Sequence, residues 1–283
     1  MPEKVTNVDY LTIGHVTQDL APDGPRLGGT ASYASLTAQA LGLRVGVLTS
    51  APENFPLLAP LAGLHLTCVP SGEPTTFENI YDARGKRRQI LSGRAAMLDP
   101  AAVPPAWRRA SIVHLAPLAA EVSPELATFF PTALLGITPQ GWMRAWNEKG
   151  EVRFRAWDDP HDLASKAAAV VFSIEDVEYD ETLVAECAAR ARLLVVTRGE
   201  DGCSVHWRGE WRHFPAPGVT LVDPTGSGDI FAAAYFYRLH VTRGDPYEAA
   251  RFAVQVASAS VTRPGLDGIP TPQEIQQAAR TAS

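Results

Sequence analysis

Cysteine is scarce in this chain: Cys68, Cys187 and Cys203 are scattered over 283 residues. An odd number without paired spacing excludes a disulfide scaffold and suits a reducing cytoplasm, the compartment we expect. The seven histidines include no His-x-x-x-His pair, so a zinc site is not expected. No apolar run reaches membrane-spanning length, and Met1-Pro2-Glu3-Lys4 lacks the pattern of a signal peptide. Positive charge is outnumbered, with 25 Lys and Arg against 31 Asp and Glu, a net charge of −6. Nucleic acid and anionic membranes are therefore not expected partners. The chain has no Gly-x-x-x-x-Gly-Lys-[Ser/Thr] loop, no His-Arg-Asp and no Asp-Phe-Gly, which disfavours those phosphoryl-transfer architectures. Gly14-His15-Val16 after the first apolar run does not supply Gly-x-Gly-x-x-Gly, which argues against a nicotinamide-dependent oxidoreductase.

What is present is apolar: 46% of residues are hydrophobic, enough for a sizeable core. Short apolar runs read as buried strands at 8–13, 44–49, 111–115, 133–137, 168–172 and 193–197, with helical patterns between them. This rhythm predicts an α/β protein with a doubly wound, mainly parallel sheet in one domain spanning 1–283. One stretch breaks the rhythm. Residues 75–82 and 86–91 alternate around Ala83-Arg84-Gly85 and predict a β-hairpin, an insert at about 74–93. Asp19 follows the first strand closely and is placed near the carboxyl ends of the strands, where ligands bind. Gly28-Gly29 reads as a turn opening a helix that Gly42 closes. Asp245-Pro246 and Thr271-Pro272-Gln273-Glu274 read as the starts of two further helices.

The chemistry concentrates in Val222-Asp223-Pro224-Thr225-Gly226-Ser227-Gly228-Asp229, with an apolar helical run directly behind it. A Gly-Ser-Gly turn lets backbone N–H groups converge without Cβ obstruction. The first turn of the following helix adds unpaired N–H groups and the positive end of the dipole. Gly226, Ser227 and Gly228 thus predict an anion pocket suited to phosphate oxygens. A carboxylate at its mouth, Asp229, makes sense as a base that takes a proton from an attacking hydroxyl, and the helix end is expected to keep it ionised. A simple helix N-cap is the alternative.

This stretch resembles the second signature of the ribokinase/PfkB family of carbohydrate kinases, Asp-Thr-x-Gly-Ala-Gly-Asp. Gly28 to Ser35 is similar to the family's first signature, Gly-Gly-x-x-x-Asn-x-Ala, with Tyr33 in place of the Asn that meets a substrate hydroxyl. The resemblance implies a ribokinase-like fold with the 74–93 insert as a β-sheet lid, Asp229 as catalytic base, and an acceptor held by Asp19, Gly28, Gly29 and Tyr33. It implies a nucleotide site at Thr197, Gly199, Gly202 and Gly265, although Thr197 to Gly202 also reads as a plain turn. Ser173 to Asp176 is similar to the family's Asn-x-x-Glu, which places Asp176, with Asp223, near magnesium through water. An acidic helix start explains Glu175-Asp176 equally. The family has an Asp-x-x-x-Arg type segment where Thr138 to Arg144 stands, and Arg144 receives no role. The implied cofactors are ATP and Mg2+, with a monovalent cation such as K+ as a further option, and a homodimer through the lid is the oligomeric expectation. The implied activity is phosphorylation of a hydroxyl on a sugar, polyol or nucleoside. Gly28 to Tyr33 together with His15 is similar to inositol-kinase members. Arg26, Arg88 and Arg94 make a phosphosugar the alternative acceptor, and a non-catalytic sugar or nucleotide sensor is the alternative function.

Overall fold

The computed structural model describes residues 7–22, 24–81, 87–159 and 161–282. In chain order the strands are β1 (Tyr10–Ile13), β2 (Thr17–Ala21), β3 (Gly24–Gly28), β4 (Val45–Ala51), β5 (His65–Pro70), β6 (Thr75–Tyr81), β7 (Arg87–Gly93), β8 (Ile112–Leu115), β9 (Leu134–Ile137), β10 (Arg144–Trp146), β11 (Val152–Phe154), β12 (Ala169–Ser173), β13 (Leu193–Thr197), β14 (Cys203–Trp207) and β15 (Glu210–Phe214). The helices are α1 (Thr30–Ala40), α2 (Leu126–Phe129), α3 (Leu163–Lys166), α4 (Glu181–Arg190), α5 (Ser227–Val241), α6 (Pro246–Ser260) and α7 (Pro272–Ala282).

Nine strands form one sheet in the order β15-β14-β13-β12-β9-β8-β1-β4-β5. It is parallel from β5 to β13 and ends in two antiparallel strands, β14 and β15. The apolar runs seen in the sequence are its central strands, buried on both faces. Their side chains alternate between two cores, as a period of two requires. Tyr10, Ile112, Val171 and Val195 face α1, α5 and α6. Leu11, Val113, Val170 and Leu194 face the other layer, which includes Trp107, Leu126 and α4. The central helix is α5, in which every residue from Ile230 to Phe236 is buried. Its Phe236 ring fits only because position 136 is glycine: a Cβ there would lie 2.5 Å from the ring. Two helix starts follow the sequence closely. Asp245 accepts from the Tyr247 and Glu248 N–H groups at 2.9 Å, and Thr271 and Glu274 close a reciprocal capping box.

The insert is larger than the sequence suggests. Strands β6 and β7 pair antiparallel as expected, and the turn at Ala83-Arg84-Gly85 lies outside the described residues. A second hairpin, β2-β3, lies alongside, giving a four-stranded sheet in the order β3-β2-β6-β7. Strands β2 and β3 therefore belong to the small sheet, and the 74–93 boundary takes in only half of it. Among the described residues, no helix is long and apolar enough to cross a membrane.

Candidate functional site

The strand order reverses at β1. The chain builds β4 and β5 on one side of it, then returns to add β8, β9, β12 and β13 on the other. Reversals of this kind open a crevice beyond the carboxyl ends of the strands. The connecting loops meet there. Gly141 donates to Pro117 O at 2.8 Å, and the Gln140 amide donates to Asp176 Oδ1 at 2.7 Å. The start of α5 completes the crevice.

Gly226 caps α5 in the left-handed conformation (φ 77°, ψ −2°), with no side-chain cap. The simple N-cap reading of Asp229 is thereby displaced, since Asp229 lies inside the first turn. Ser227 N–H donates to Pro224 O at 3.2 Å. The backbone of Ser227 is drawn into the turn and does not join the pocket as expected. The N–H groups of Gly226, Gly228 and Asp229 have no acceptor among the described residues.

The Asp229 carboxyl is not held down by the helix end. Burial pushes it up from 3.8 to about 6; hydrogen bonding from Thr30 and the charge of Arg144 pull it back, while Asp176 and Asp19 raise it further. Asp229 is thus still mostly ionised at pH 7, as expected, but its value lies close enough to neutrality to suit a general base. Thr30 and Arg144 are contributors that the sequence did not reveal. Arg144 opens β10, donates to Leu118 O at 3.2 Å and lies 5.4 Å from the centre of the Phe77 ring on the small sheet.

Asp19 faces the pocket from strand β2, not from a loop. It accepts from Thr17 Oγ1 at 2.8 Å, and a Cβ on Gly28 would overlap its carboxylate at 2.2 Å. Gly29 (φ 89°) has His15 O where a Cβ would stand, 2.7 Å away. The glycines and the carboxylate thus come together as expected. The Tyr33 ring lies against Gly226, and its hydroxyl stands within electrostatic reach of Asp229 and Asp223 as well as of Asp19 and Arg26. His15 links the small sheet to the body. Its Nε2–H donates to Ala96 O at 2.8 Å, so its Nδ1 accepts from Thr75 Oγ1 at 2.6 Å. Burial lowers its pKa and keeps the ring neutral.

The carboxylates expected near a metal both have work inside the fold. Asp176 accepts from the Ser173 N–H at 2.9 Å as well as from Gln140, closing a capping box. Asp223 accepts from Thr225 N–H at 2.9 Å and Gly265 N–H at 2.8 Å. Burial works to raise Asp223, but these hydrogen bonds prevail and hold it below its ordinary value. No cluster of three candidate metal ligands occurs among the described residues. On the nucleotide side, Thr197 ends β13 in register with Ser173. Gly199 (φ 58°) makes the turn beside it. At Gly202 (φ 90°) a Cβ would lie 2.1 Å from Phe214 O, a local folding reason for glycine. Gly265 (φ 49°) gives its N–H to Asp223 and has none left for a ligand. Leu221 and Val222, 63% and 58% exposed, form an apolar shelf on the segment that leads into the pocket. Of the arginines, Arg88 pairs with Glu151 at 3.2 Å, and Arg94 donates to the carbonyls of Ala119 and Ala120.

Residues 160–273 match the model of the pfkB family carbohydrate kinases. The chain is 27% identical to a cytidine kinase of Thermococcus kodakarensis over 266 residues, covering 85% of this chain and 91% of that one. It is 29% identical to an inositol 3-kinase of Zea mays over 259 residues, 81% of this chain and 65% of that one. Its fold is similar to that of a pyrophosphate-dependent kinase in the ribokinase family, at 21% identity and a TM-score of 0.79, covering 95% of this chain and 99% of the other. Residues 160–273 thus carry the pfkB family match, in the half of the chain that holds the second signature, and the fold as a whole is ribokinase-like.

Proposed function

We propose that this protein transfers the γ-phosphoryl group of ATP to a hydroxyl of a sugar, an inositol-like polyol or a nucleoside. The observation that carries this reading is Asp229, a carboxyl raised to about 6 at the mouth of unpaired helix N–H groups, with Asp19 in electrostatic reach. Asp229 takes the proton of the acceptor hydroxyl as that oxygen attacks phosphorus. The N–H groups of Gly226, Gly228 and Asp229 receive the charge gathering on the transferring oxygens. Asp19 and the Gly28-Gly29 turn hold the other acceptor hydroxyls, and the small sheet acts as the lid. The exposed Leu221 and Val222 offer a flat apolar surface for the base of a nucleotide donor, alongside the turn at Thr197 and Gly199. An uncharged acceptor is favoured over a phosphosugar by the pairing of Arg88 with Glu151 and of Arg94 with the Ala119 and Ala120 carbonyls, which leaves Arg26, opposite Asp19, as the one arginine of the three beside the proposed site.

The acidic residues fit magnesium in one way. With Asp176 and Asp223 committed to backbone and amide groups, a metal here is held mostly by donor phosphates and water, as is usual for this ion. Bound magnesium supplies charge neutralisation on the donor phosphates. Asp176 and Asp223 would face it through water.

The test is product formation from MgATP with ribose, fructose, myo-inositol and cytidine, each with Na+ or K+ as counterion. Pyrophosphate serves as the second donor. Release of ADP that requires one acceptor supports the proposal. No transfer to any acceptor from either donor, together with binding of acceptor or nucleotide, would make the chain a sensor. Size-exclusion chromatography reads the homodimer through the small sheet, on which Leu20 is 39% exposed.

A further inference from the structure

Tyr33 stands where the family signature carries an acceptor-binding Asn, yet its ring packs against the phosphate turn, with Asp19 and Arg26 in electrostatic reach on its other flank. Its ring lies flat against the turn that opens the anion pocket. A Cβ at Gly226 would fall 2.3 Å from its Cδ1 and 2.4 Å from its Cε1. Its hydroxyl reaches past that turn. The nearest atom to a Cβ on Gly265 would be that oxygen, at 3.9 Å. Positions 226 and 265 are the two left-handed glycines that the Asp223 loop brings together. Val222 and Asp223 both donate to Val261 O, at 2.8 and 3.1 Å. Asp223 in turn bridges Thr225 N–H and Gly265 N–H. Tyr33 is thus a wedge under the seam between the phosphate turn and the nucleotide-side turn. It is 3% exposed, and no described residue shares a hydrogen bond with its hydroxyl. Burial, with the charges of Asp229, Asp223 and Asp19, raises its pKa, so the phenol keeps its proton and is a donor.

We propose that Tyr33 is a donor-side residue of the kinase: its ring props Gly226 in the left-handed conformation, and its hydroxyl donates a hydrogen bond to a phosphate oxygen of the phosphoryl donor. This rests on the reading of the site as a kinase. The backbone pocket offers N–H groups from one turn only, and with Ser227 N–H spent inside it a phenol aimed between Gly226 and Gly265 adds a donor from a second direction. The acceptor loses the contact that Asn makes in the signature and depends on Asp19 and the glycine turn.

Two variants separate ring from hydroxyl. Tyr33→Phe keeps the wedge and should leave the melting temperature unchanged. It should lower kcat/KM for the donor by about 10- to 100-fold, the range for a hydrogen bond to a charged group, with acceptor KM within about twofold of wild type. Tyr33→Asn removes the wedge as well, so it should lose more donor efficiency and lower the melting temperature. Both MgATP and pyrophosphate are used as donors. A loss with both places the contact on a phosphate common to them, and a loss with MgATP alone would move it to the nucleoside part and overturn the phosphate assignment. Calorimetric titration of MgATP and of pyrophosphate into Tyr33→Phe reads the same contact without turnover. An inactive wild type would refute the kinase reading while the titration still decides the role of Tyr33. Unchanged donor binding in Tyr33→Phe, or a raised acceptor KM, would overturn the proposal.

Discussion

Replacing Asp229 by Asn should cost activity and add stability, and both effects follow from one observation. The folded protein holds this carboxyl at about 6 against an ordinary value of 3.8, chiefly because burial disfavours its charge. The shift corresponds to about 3 kcal/mol of destabilisation once the group is fully ionised. The sign follows from proton counting. Between about pH 4 and 6 the folded chain keeps a proton that the unfolded chain has lost. The penalty is absent below that window, grows through it and is complete above it. Asn carries no charge to desolvate, although it forgoes the attraction of an acidic group to the helix start, worth about 0.3–1 kcal/mol. The net gain at pH 7 is about 2 kcal/mol, or about 4–8 °C in Tm. Thermal unfolding by circular dichroism at pH 7, 6, 5 and 4 should show the variant above the wild type at pH 7 and the gap closing towards pH 4. In the same variant kcat should fall by about 10²–10⁴-fold. The wild-type kcat/KM should lose activity on the acid side with a midpoint near pH 6. A variant less stable than wild type at pH 7, or a gap independent of pH, would refute the burial argument. Near wild-type kcat would refute the base assignment.

Asp19→Ala should raise acceptor KM by about tenfold or more, on the scale of a lost hydrogen bond to a charged group, and leave donor KM unchanged; equal KM values for the acceptor would remove Asp19 from the site. Arg144→Met should move the acid midpoint of the pH–rate profile above that of the wild type, because Arg144 holds the Asp229 carboxyl down; an unmoved midpoint would show that Arg144 does not act on the base. Amide hydrogen exchange in β6 and β7 should slow when acceptor and a non-hydrolysable donor are both present, as closure of the small sheet requires, and identical rates would dismiss the lid.

The main sheet is readable because its central strands are buried on both faces, so Val170, Val171 and Phe172 or Leu194, Val195 and Val196 appear as unbroken apolar runs. The small sheet breaks that rule. Thr17-Gln18-Asp19-Leu20-Ala21 and Gly24-Pro25-Arg26 are polar or carry turn residues; β2 is held as a strand by pairing with β6, a contact between positions far apart in sequence, and β3 then pairs with β2. The three-residue strands β10 and β11 are too short to show a period, which is why Arg144 passed without a role. The phosphate turn and Asp229 were legible because small residues, a carboxylate and a helix start are all local. The state of Asp229 was not, since it is set by burial and by Asp176, Asp19 and Arg144, which meet it only in the folded chain. Tyr33 shows the same limit: its place in a signature suggested the acceptor, while its packing against Gly226 is visible only in the folded chain.

The position of Asp19 on β2 has an evolutionary consequence. The groups proposed to recognise the acceptor ride on β2, β3 and the Gly28-Gly29 turn, while the phosphate turn, Asp229 and the apolar shelf belong to the nine-stranded body. The two sets of contacts can therefore drift separately. A body that keeps its transfer chemistry can change clientele by rewriting two hairpins, and relatives named for acceptors as unlike as cytidine and inositol are what such a division of labour would leave behind. For an engineer the same seam is a cutting line: hairpins β2-β3 and β6-β7 form a cassette to graft when a new acceptor is wanted, and the join to respect is His15 with Thr75, where the cassette is pinned to the body.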